Sequence, residues 1–526
     1  MNSKRRWGIG IKGLGLAVAV ALSGCANMQS HDKLATQVQA AQSAGGPAAA
    51  LKELEASATS ADARKELLYN LERGELLRQN LQYKDSIAAW LLADEKVNAW
   101  EAAAKTDPKK LFGLVGAALI SERLKPFEGQ DYEKVWLTTR LAMNRIAEQD
   151  WDNARVDIKR THEREAVIAE FRAKETAAAE EEAKGKGASV ITKELDGYPV
   201  ASLNDPEVLK LKNGYQNALS HYLAGFLYEV LNEGGLAAPG YRKAIELQPN
   251  NPLLDEGLKG LDTRTSFTHK RRQRMSDVLF IIESGSAPAR KPKNFTLPVP
   301  IANKLSTVSI SYPVIEPSRE VGPVALTIGA TSLKTATVVD LNVMARRALK
   351  DEMPGMVFRG VTRAIAKGVL QNEMQKRAGL LGGVVAAVGS AVTEQADDRM
   401  WRTLPGMVSI ARGYLPEGEH KLLVDGKDTG TVVKIQGQYA LVPVQLRGGA
   451  ISLGSVASFG ALQVPMATAT PPSVATSVPN SSVVPAADKT VRKPTSATTA
   501  PANKPAAAAK PAAAAKPAQA ASAGRP

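Results

Sequence analysis

The chain has 526 residues, a formal net charge of +14 and one cysteine, Cys25. Its length allows two or three domains with linkers. A single cysteine excludes an internal disulfide and any site made of several thiolates, and the basic balance favours contact with anionic surfaces.

The N-terminal segment, residues 1–24, has the features of a secretory signal peptide. Three cations near its start precede an apolar run, which is too short and too glycine-rich for a membrane span of about 20 residues. The run ends in Leu22-Ser23-Gly24-Cys25, which resembles the lipobox of bacterial lipoproteins. The resemblance implies cleavage between Gly24 and Cys25. It also implies diacylglycerol on the Cys25 sulfur and a fatty acyl chain, such as palmitate, on the new amino group.

The same resemblance implies a location. Lipoproteins kept at the inner membrane often have Asp after the lipidated cysteine, whereas Ala26 follows here. We therefore expect a lipid anchor in the outer membrane, on its periplasmic face. Cleavage before Cys25 removes four cations and no acid, so the formal charge falls from +14 to +10. Nucleic acid is not an expected partner, because an exported chain seldom meets it. The alternative is an ordinary signal peptide followed by a chance cysteine.

A short tether and a helical domain are predicted to follow. Residues 25–62 are polar and alanine-rich, with a break at Gly45-Gly46-Pro47, and predict a lipidated tether with one helix at 48–57. From residue 63 onwards apolar side chains recur every three or four positions. This spacing predicts an α-helical domain over 63–262.

The helical domain contains a repeated pattern. Small residues, tyrosines and a closing proline over 218–251 fall at the offsets of a tetratricopeptide repeat (TPR), and weaker copies lie at 74–93 and 141–154. The pattern predicts a TPR-like solenoid. Stacked helix pairs of this kind form a concave groove that binds peptides or protein segments. The residues expected in the groove are Tyr69, Tyr83, Trp90, His221 and Tyr228.

Residues 263–294 are predicted to form a linker. The linker contains an apolar run of strand length at 278–282 and a compact basic cluster. The members of this cluster are Lys270, Arg271, Arg272 and Arg274. The cluster is either a solvated helix end or a contact for phosphate-bearing lipid or an acidic partner.

Short alternating runs predict a small antiparallel, sandwich-like β domain over 295–465, with a helical insert at 342–400. The most apolar stretch of the insert, Gly379–Val392, is too short for a membrane span. We expect a buried helix there, with bilayer contact or oligomer formation as alternatives. The tail 466–526 is mostly Ala, Pro, Ser, Thr and Lys and is predicted to be disordered. It is either inert or a contact for peptidoglycan. The predicted fold class is α+β and multidomain.

Four short motifs occur in one order along the chain. They are Gly129–Val135, Trp151–Val156, Trp401–Pro405 and Leu415–His420. Together they resemble a family of uncharacterised bacterial outer-membrane lipoproteins with TPR-like helices and a C-terminal β domain. The resemblance covers about residues 65–460 and brings no known activity. It implies a periplasmic protein that works with other envelope components.

No motif in the sequence identifies a reaction. None of the five histidines pairs at metal-ligand spacing, and we predict no catalytic residue, cofactor or metal. We expect a lipid-anchored periplasmic scaffold that binds a protein or peptide. The alternatives are a structural oligomer and an envelope enzyme acting on glycan or lipid, whose acids would come from Asp131, Glu133 and Asp397-Asp398.

Overall fold

The computed structural model describes residues 31–111, 123, 125–185, 201–301, 304–318, 322–353, 355–356 and 396–462. The predicted signal peptide, the lipidation site Gly24-Cys25, the apolar stretch Gly379–Val392 and the tail 466–526 lie outside these described residues. Helices dominate the first half and strands the second, so the protein is α+β, as predicted.

Helices α1 to α12 precede the first strand, and α13 interrupts the strands. Their bounds are α1 His31–Ser57, α2 Leu67–Gln79, α3 Tyr83–Thr106, α4 Pro108–Leu111, α5 Asp131–Ala147, α6 Trp151–Gly185, α7 Pro206–Lys210, α8 Ala218–Val230, α9 Gly234–Leu247, α10 Pro252–Leu258, α11 Leu261–Arg264, α12 Phe267–Arg272 and α13 at 341–353. Three successive pairs pack together: α2 with α3, α5 with α6, and α8 with α9. They lie where the sequence predicts the three repeats.

The three helix pairs share one turn geometry. Each turn contains a non-glycine residue in the left-handed region: Leu81 (φ 60°), Gln149 (φ 61°) and Asn232 (φ 65°). The next residue donates its backbone N–H to a carbonyl five positions back, as between Glu233 N and Tyr228 O at 2.7 Å. This arrangement satisfies carbonyls that the end of a helix leaves free. The common turn shows that the three pairs are built alike.

The strands form three sheets. Their bounds are β1 Ser276–Ser284, β2 Arg290–Ile301, β3 Lys304–Ile315, β4 Ala325–Ile328, β5 Thr331–Lys334, β6 Ala336–Asp340, β7 Met407–Leu415, β8 Gly418–Val424, β9 Lys427–Ile435, β10 Tyr439–Arg447, β11 Ala450–Leu453 and β12 Ala457–Phe459. The main sheet has the order β11-β10-β1-β7-β6, with β12 also paired to β10. A second sheet has the order β5-β4-β8-β9, and β2 pairs with β3.

Strand β1 is the centre of the main sheet and is buried along its whole length. Val278, Phe280 and Ile282 pack with the four-stranded sheet. Leu279 and Ile281 point the other way and pack with the helices. Because alternate side chains of a strand point to opposite faces, this continuous apolar run serves two cores. The protein thus has three layers: helices, main sheet and second sheet.

The central position of β1 corrects two predictions. The segment 263–294 is not a linker, because its apolar run 278–282 is the strand to which the rest of the main sheet is attached. The sheets are also not purely antiparallel, because β1 runs parallel to β10, with Asp277 opposite Tyr439. A strand covered on both faces is typical of parallel pairing.

The division into a helical domain 63–262 and a β domain 295–465 also differs from the structure. One apolar core contains residues of the helices and of the main sheet, for example Trp136, Phe226, Ile281 and Leu441. The described residues within Met1–Pro465 form one compact unit. The helices bury their inner face against the sheet that follows them in the chain.

Most of the predicted tether is packed as well. Residues 31–57 form two helical segments joined at Gly46 (φ 74°), next to the predicted break. Val38 and Leu54 pack with Leu76 of α2. At the start of α1 the His31 ring bonds the Met400 carbonyl at 2.9 Å. A longer stretch than the expected helix at 48–57 is therefore part of the fold.

Candidate functional site

The residues predicted to line a groove do not form an open surface. Trp90, Tyr83, His221 and Tyr228 are all buried, and only Tyr69 is partly exposed. The Trp90 ring meets Trp401 edge-on, with centroids 5.9 Å apart. The Tyr83 hydroxyl accepts a hydrogen bond from the Ser455 backbone at 2.8 Å. The second half of the chain occupies the place that we expected a partner to take.

A cleft opens instead beside α5 and α6, and its volume is about 160 Å³. Its walls come from α3, α5, α6, the paired strands β2 and β3, the end of α13 and the segment around 396–397. The residues that line it include Trp100, Phe127, Lys134, Phe171, Arg172, Glu175, Arg290, Glu352 and Asp397. They are up to 297 positions apart in the sequence, so no local motif could identify this site.

One wall of the cleft is aromatic. The rings of Trp100 and Phe171 meet edge-on, with centroids 5.1 Å apart. The Lys134 ammonium lies 3.9 Å from the centroid of the Trp100 ring, within the range of a cation–π contact. Phe127 contributes a third ring. This wall consists of largely buried rings next to fixed positive charge.

Next to the aromatic wall lies a network of ion pairs around Arg172, whose guanidinium is 5.6 Å from the Phe171 ring. Its guanidinium donates to Asp131 at 2.6 Å, to Glu175 at 2.6 Å and to Glu352 at 3.3 Å. Burial alone would raise the pKa of Asp131, but Arg172 and Lys134 outweigh burial and lower the pKa to about 2. Asp131 is therefore ionised at neutral pH and holds the two cations in place.

Arg290 is the member of the cleft whose hydrogen bonding is incomplete. It is only 4% exposed, and its guanidinium lies 3.5 Å from Glu352. Its Nε atom is buried and has no hydrogen-bond partner. A buried donor without an acceptor is costly, so Arg290 is a cleft residue with an unmet hydrogen bond.

The acids named for the enzyme alternative are all engaged. The Glu133 carboxylate accepts backbone N–H groups of Gln130 at 2.8 Å and Trp401 at 2.6 Å, and burial raises its pKa to about 7. Asp397 accepts three hydrogen bonds from Arg399, one from its backbone and two from its guanidinium. The contact between Gln130 and Glu133 at the start of α5 is a local capping signal that the sequence contains. These carboxylates serve as caps and ion-pair partners here.

A pair of histidines lies between the second and third helix pairs. The rings of His162 on α6 and His221 on α8 are stacked, with centroids 4.9 Å apart and planes 5° apart. The His221 Nε2 atom lies 3.1 Å from a Glu165 oxygen, whereas the His162 Nε2 atom is buried without a partner. Burial, and then the neighbouring His221, lower the pKa of His162.

The lowered pKa of His162 predicts a pH dependence of stability. The unfolded chain takes up a proton at about pH 6.5, where the folded chain does not. We expect the free energy of unfolding to fall as the pH is lowered through 6.5. In His162→Phe the new ring can still stack on His221, but the side chain can no longer bind a proton in the unfolded chain. Urea unfolding at pH 8 and pH 5.5 should therefore show a smaller pH effect in the variant, and equal pH effects would contradict the assignment.

Comparison with protein-family models, curated proteins and solved structures gives no match for this chain. Within the described ranges, no three His, Cys, Asp or Glu side chains come together as metal ligands. A search of the same residues finds no helix long and apolar enough to cross a membrane. The fold is therefore described by its own elements: the protein is α+β, with stacked helix pairs on a mixed sheet.

Proposed function

We propose that this protein is a lipid-anchored scaffold of the bacterial cell envelope whose charged aromatic cleft binds a peptide segment of a protein partner. The observation that carries the proposal is the incomplete hydrogen bonding of Arg290 beside three aromatic rings. A carboxylate or carbonyl oxygen of the peptide satisfies the Arg290 donor, and an apolar side chain packs on Trp100 and Phe171. Buried charge-assisted hydrogen bonds of this kind are strong and directional.

The three helix pairs are TPR-like repeats in this proposal, and the two packed sheets are a sandwich-like module. The shared turn at Leu81, Gln149 and Asn232 supports the repeat interpretation. In contrast to a typical repeat array, the inner face is already covered by the main sheet. We therefore assign partner binding to the cleft and not to the inner face of the helix pairs.

The experiment that tests the cleft is site-specific photo-crosslinking in cells. A photoreactive phenylalanine analogue at Phe127 should give partner adducts, whereas the same group at Val432, on β9 of the second sheet, should give none. Arg290→Met should reduce the Phe127 adducts about tenfold, the worth of one charge-assisted hydrogen bond.

The neighbouring cation supplies the control. Lys291 is on the same strand but is exposed, and it pairs with Glu316 at 3.3 Å. Lys291→Met should leave the Phe127 adducts unchanged. Equal losses in both variants, with unfolding midpoints unchanged, would mean that general charge and not the cleft carries binding.

The lipid anchor is tested separately. Cells grown with labelled palmitate should yield labelled protein, and Cys25→Ser should abolish the label, because serine cannot form the thioether that precedes acylation. Membrane fractionation should show the wild-type chain with the outer membrane. Recovery of an unlabelled wild-type protein from the cytosol would contradict the proposed location.

A further inference from the structure

A basic surface with a protruding aromatic ring surrounds α12. Residues 263–276 contain five cations and no acid, so this stretch is positive over its whole length. Arg271, Arg272 and Arg274 are exposed, and the Phe267 side chain is 77% exposed. Leaving a phenyl ring in water is unfavourable, which suggests that another surface covers it.

The surface has a fixed geometry. The Ser266 side chain caps α12 by accepting the His269 N–H at 3.3 Å. The Gln438 side chain donates to the Lys270 carbonyl at 3.1 Å, and the Gln273 side chain donates to the Gln438 carbonyl at 2.7 Å. These bonds fasten α12 to the start of β10. The ring and the cations are thus presented by a short, clamped helix.

The aromatic ring and one of the exposed arginines lie on a common side of α12. Phe267 and Arg271 are four residues apart, so they occupy the same face of α12. Neither Arg271 nor Arg272 forms an ion pair with any residue that the structure describes. Lys270 is different, because its ammonium lies 5.3 Å from the Tyr439 ring and is half-buried. Arg271 and Arg272 therefore keep their charge available.

We propose that Phe267, Arg271 and Arg272 form a docking surface for an anionic phospholipid bilayer. Guanidinium groups pair with lipid phosphates, and the phenyl ring enters the boundary between headgroups and acyl chains. An acidic protein would satisfy the arginines but would leave the protruding ring without a matching apolar layer. A bilayer supplies both phosphates and hydrocarbon.

This surface lies away from His31, the first residue that the structure describes. Helix α12 lies just before the first residue of β1. The segment 400–404, whose Met400 carbonyl is bonded to the His31 ring, lies near the last residue of β1. Its Leu404 carbonyl accepts the backbone N–H of Ala287 at 2.8 Å. Nine residues of strand separate the two ends by about 27 Å. The inference extends the proposed function by adding a second membrane contact, but it does not depend on the lipid at Cys25.

The test uses the full chain with Cys25→Ser, which cannot acquire the lipid. Binding to vesicles of phosphatidylcholine with 30% phosphatidylglycerol is compared with binding to pure phosphatidylcholine by flotation. The segment 1–24 is present in every variant, so its contribution cancels between them. We expect binding to the anionic vesicles that weakens steeply with salt.

Two variants and their matched controls decide the outcome. Arg271→Ser with Arg272→Ser should weaken binding to anionic vesicles roughly 30-fold, the effect of two cations at an anionic surface. Phe267→Ser should weaken it roughly tenfold while preserving the salt dependence. The control for the double arginine variant is Lys421→Ser with Lys434→Ser, which removes the same charge from the second sheet. The control for Phe267→Ser is Val432→Ser, which removes an apolar side chain from that sheet.

The docking surface is wrong if the controls reduce binding as much as the test variants, or if both vesicle types bind alike. It is also wrong if the Cys25→Ser chain does not bind anionic vesicles at all. None of these results bears on palmitate labelling or on crosslinking at the cleft, so the proposed function stands or fails independently.

Discussion

Replacing Glu283 with glutamine is expected to lower the free energy of unfolding by about 3–5 kcal/mol. Glu283 is on β1 and is 1% exposed. It accepts two hydrogen bonds from Arg78 of α2, at 2.8 and 3.1 Å, and a further bond from Arg140 of α5. Both arginines are buried, so loss of the carboxylate charge leaves excess positive charge in the core.

The pKa of Glu283 supports the size of the effect. Burial would raise this pKa, but Arg140 and Arg78 outweigh burial and hold it far below its usual range. The charged form therefore contributes stability above the unfolded pKa, and this stability is lost as the pH falls through the folded pKa. Glu75 forms ion pairs with the same two arginines, but one carboxylate is not enough for two guanidinium groups.

Urea unfolding of the wild type and of Glu283→Gln at pH 7 measures this loss, with an unchanged slope as the sign that both chains unfold alike. The control is Glu316→Gln, which breaks an exposed ion pair with Lys291 and should cost at most about 1 kcal/mol. Similar losses for the two variants would show that the buried cluster does not join the helices to the sheet.

This cluster also shows what the sequence could not reveal. The apolar run 278–282 predicts a strand, but its parallel partner β10 lies about 160 positions further on, and nothing local pairs them. Likewise, nothing near Glu283 identifies Arg78 and Arg140 as its partners. Contacts between distant elements depend on the whole topology, so the linker prediction was wrong although the strand-forming residues were visible.

The helix pairs were predictable because their signals are local. Small and aromatic residues recur at fixed offsets over 218–251, and the structure has a helix pair there. The use of its inner face was not predictable. An apolar helix face has the same periodicity whether it packs on a partner or on the chain's own sheet. For this reason Trp90 and Tyr83 were expected in a groove but lie in the core.

The cleft was missed for the same reason. Lys134 lies within the motif Gly129–Val135, but its contact with Trp100 joins α5 to α3. Arg290 lies in a segment that we expected to be a linker. The fold class could be predicted from pattern alone, whereas the site required the packing of six parts of the chain.

Gly240→Ala tests the closest approach of two helices in the third pair. A Cβ atom on Gly240 of α9 would lie 2.7 Å from the backbone nitrogen of Gly225 and 2.8 Å from the His221 carbonyl oxygen, both on α8. Backbone atoms cannot turn aside as a flexible side chain does, so the helices must separate. We expect a loss of about 3 kcal/mol in the free energy of unfolding, at the upper end for overpacking.

We expect the separation of α8 from α9 to disturb the main sheet as well. Glu229 of α8 accepts hydrogen bonds from the Tyr241 hydroxyl at 2.6 Å and from Arg412 of β7 at 2.9 Å. Movement of α8 away from α9 strains both bonds, and Arg412 also donates to Asp277 of β1 at 2.7 Å. Hydrogen exchange in Gly240→Ala should therefore increase in β1 and β7 as well as in the two helices.

Gly235→Ala is the matched control, because it makes the same chemical change on the same helix. A Cβ atom on Gly235 would meet no atom within 4 Å, and alanine restricts the unfolded chain more than glycine does. We expect a gain of about 0.5 kcal/mol in the free energy of unfolding. The opposite signs of the two substitutions follow only if α8 and α9 touch through their backbones, so a neutral Gly240→Ala would rule out this packing.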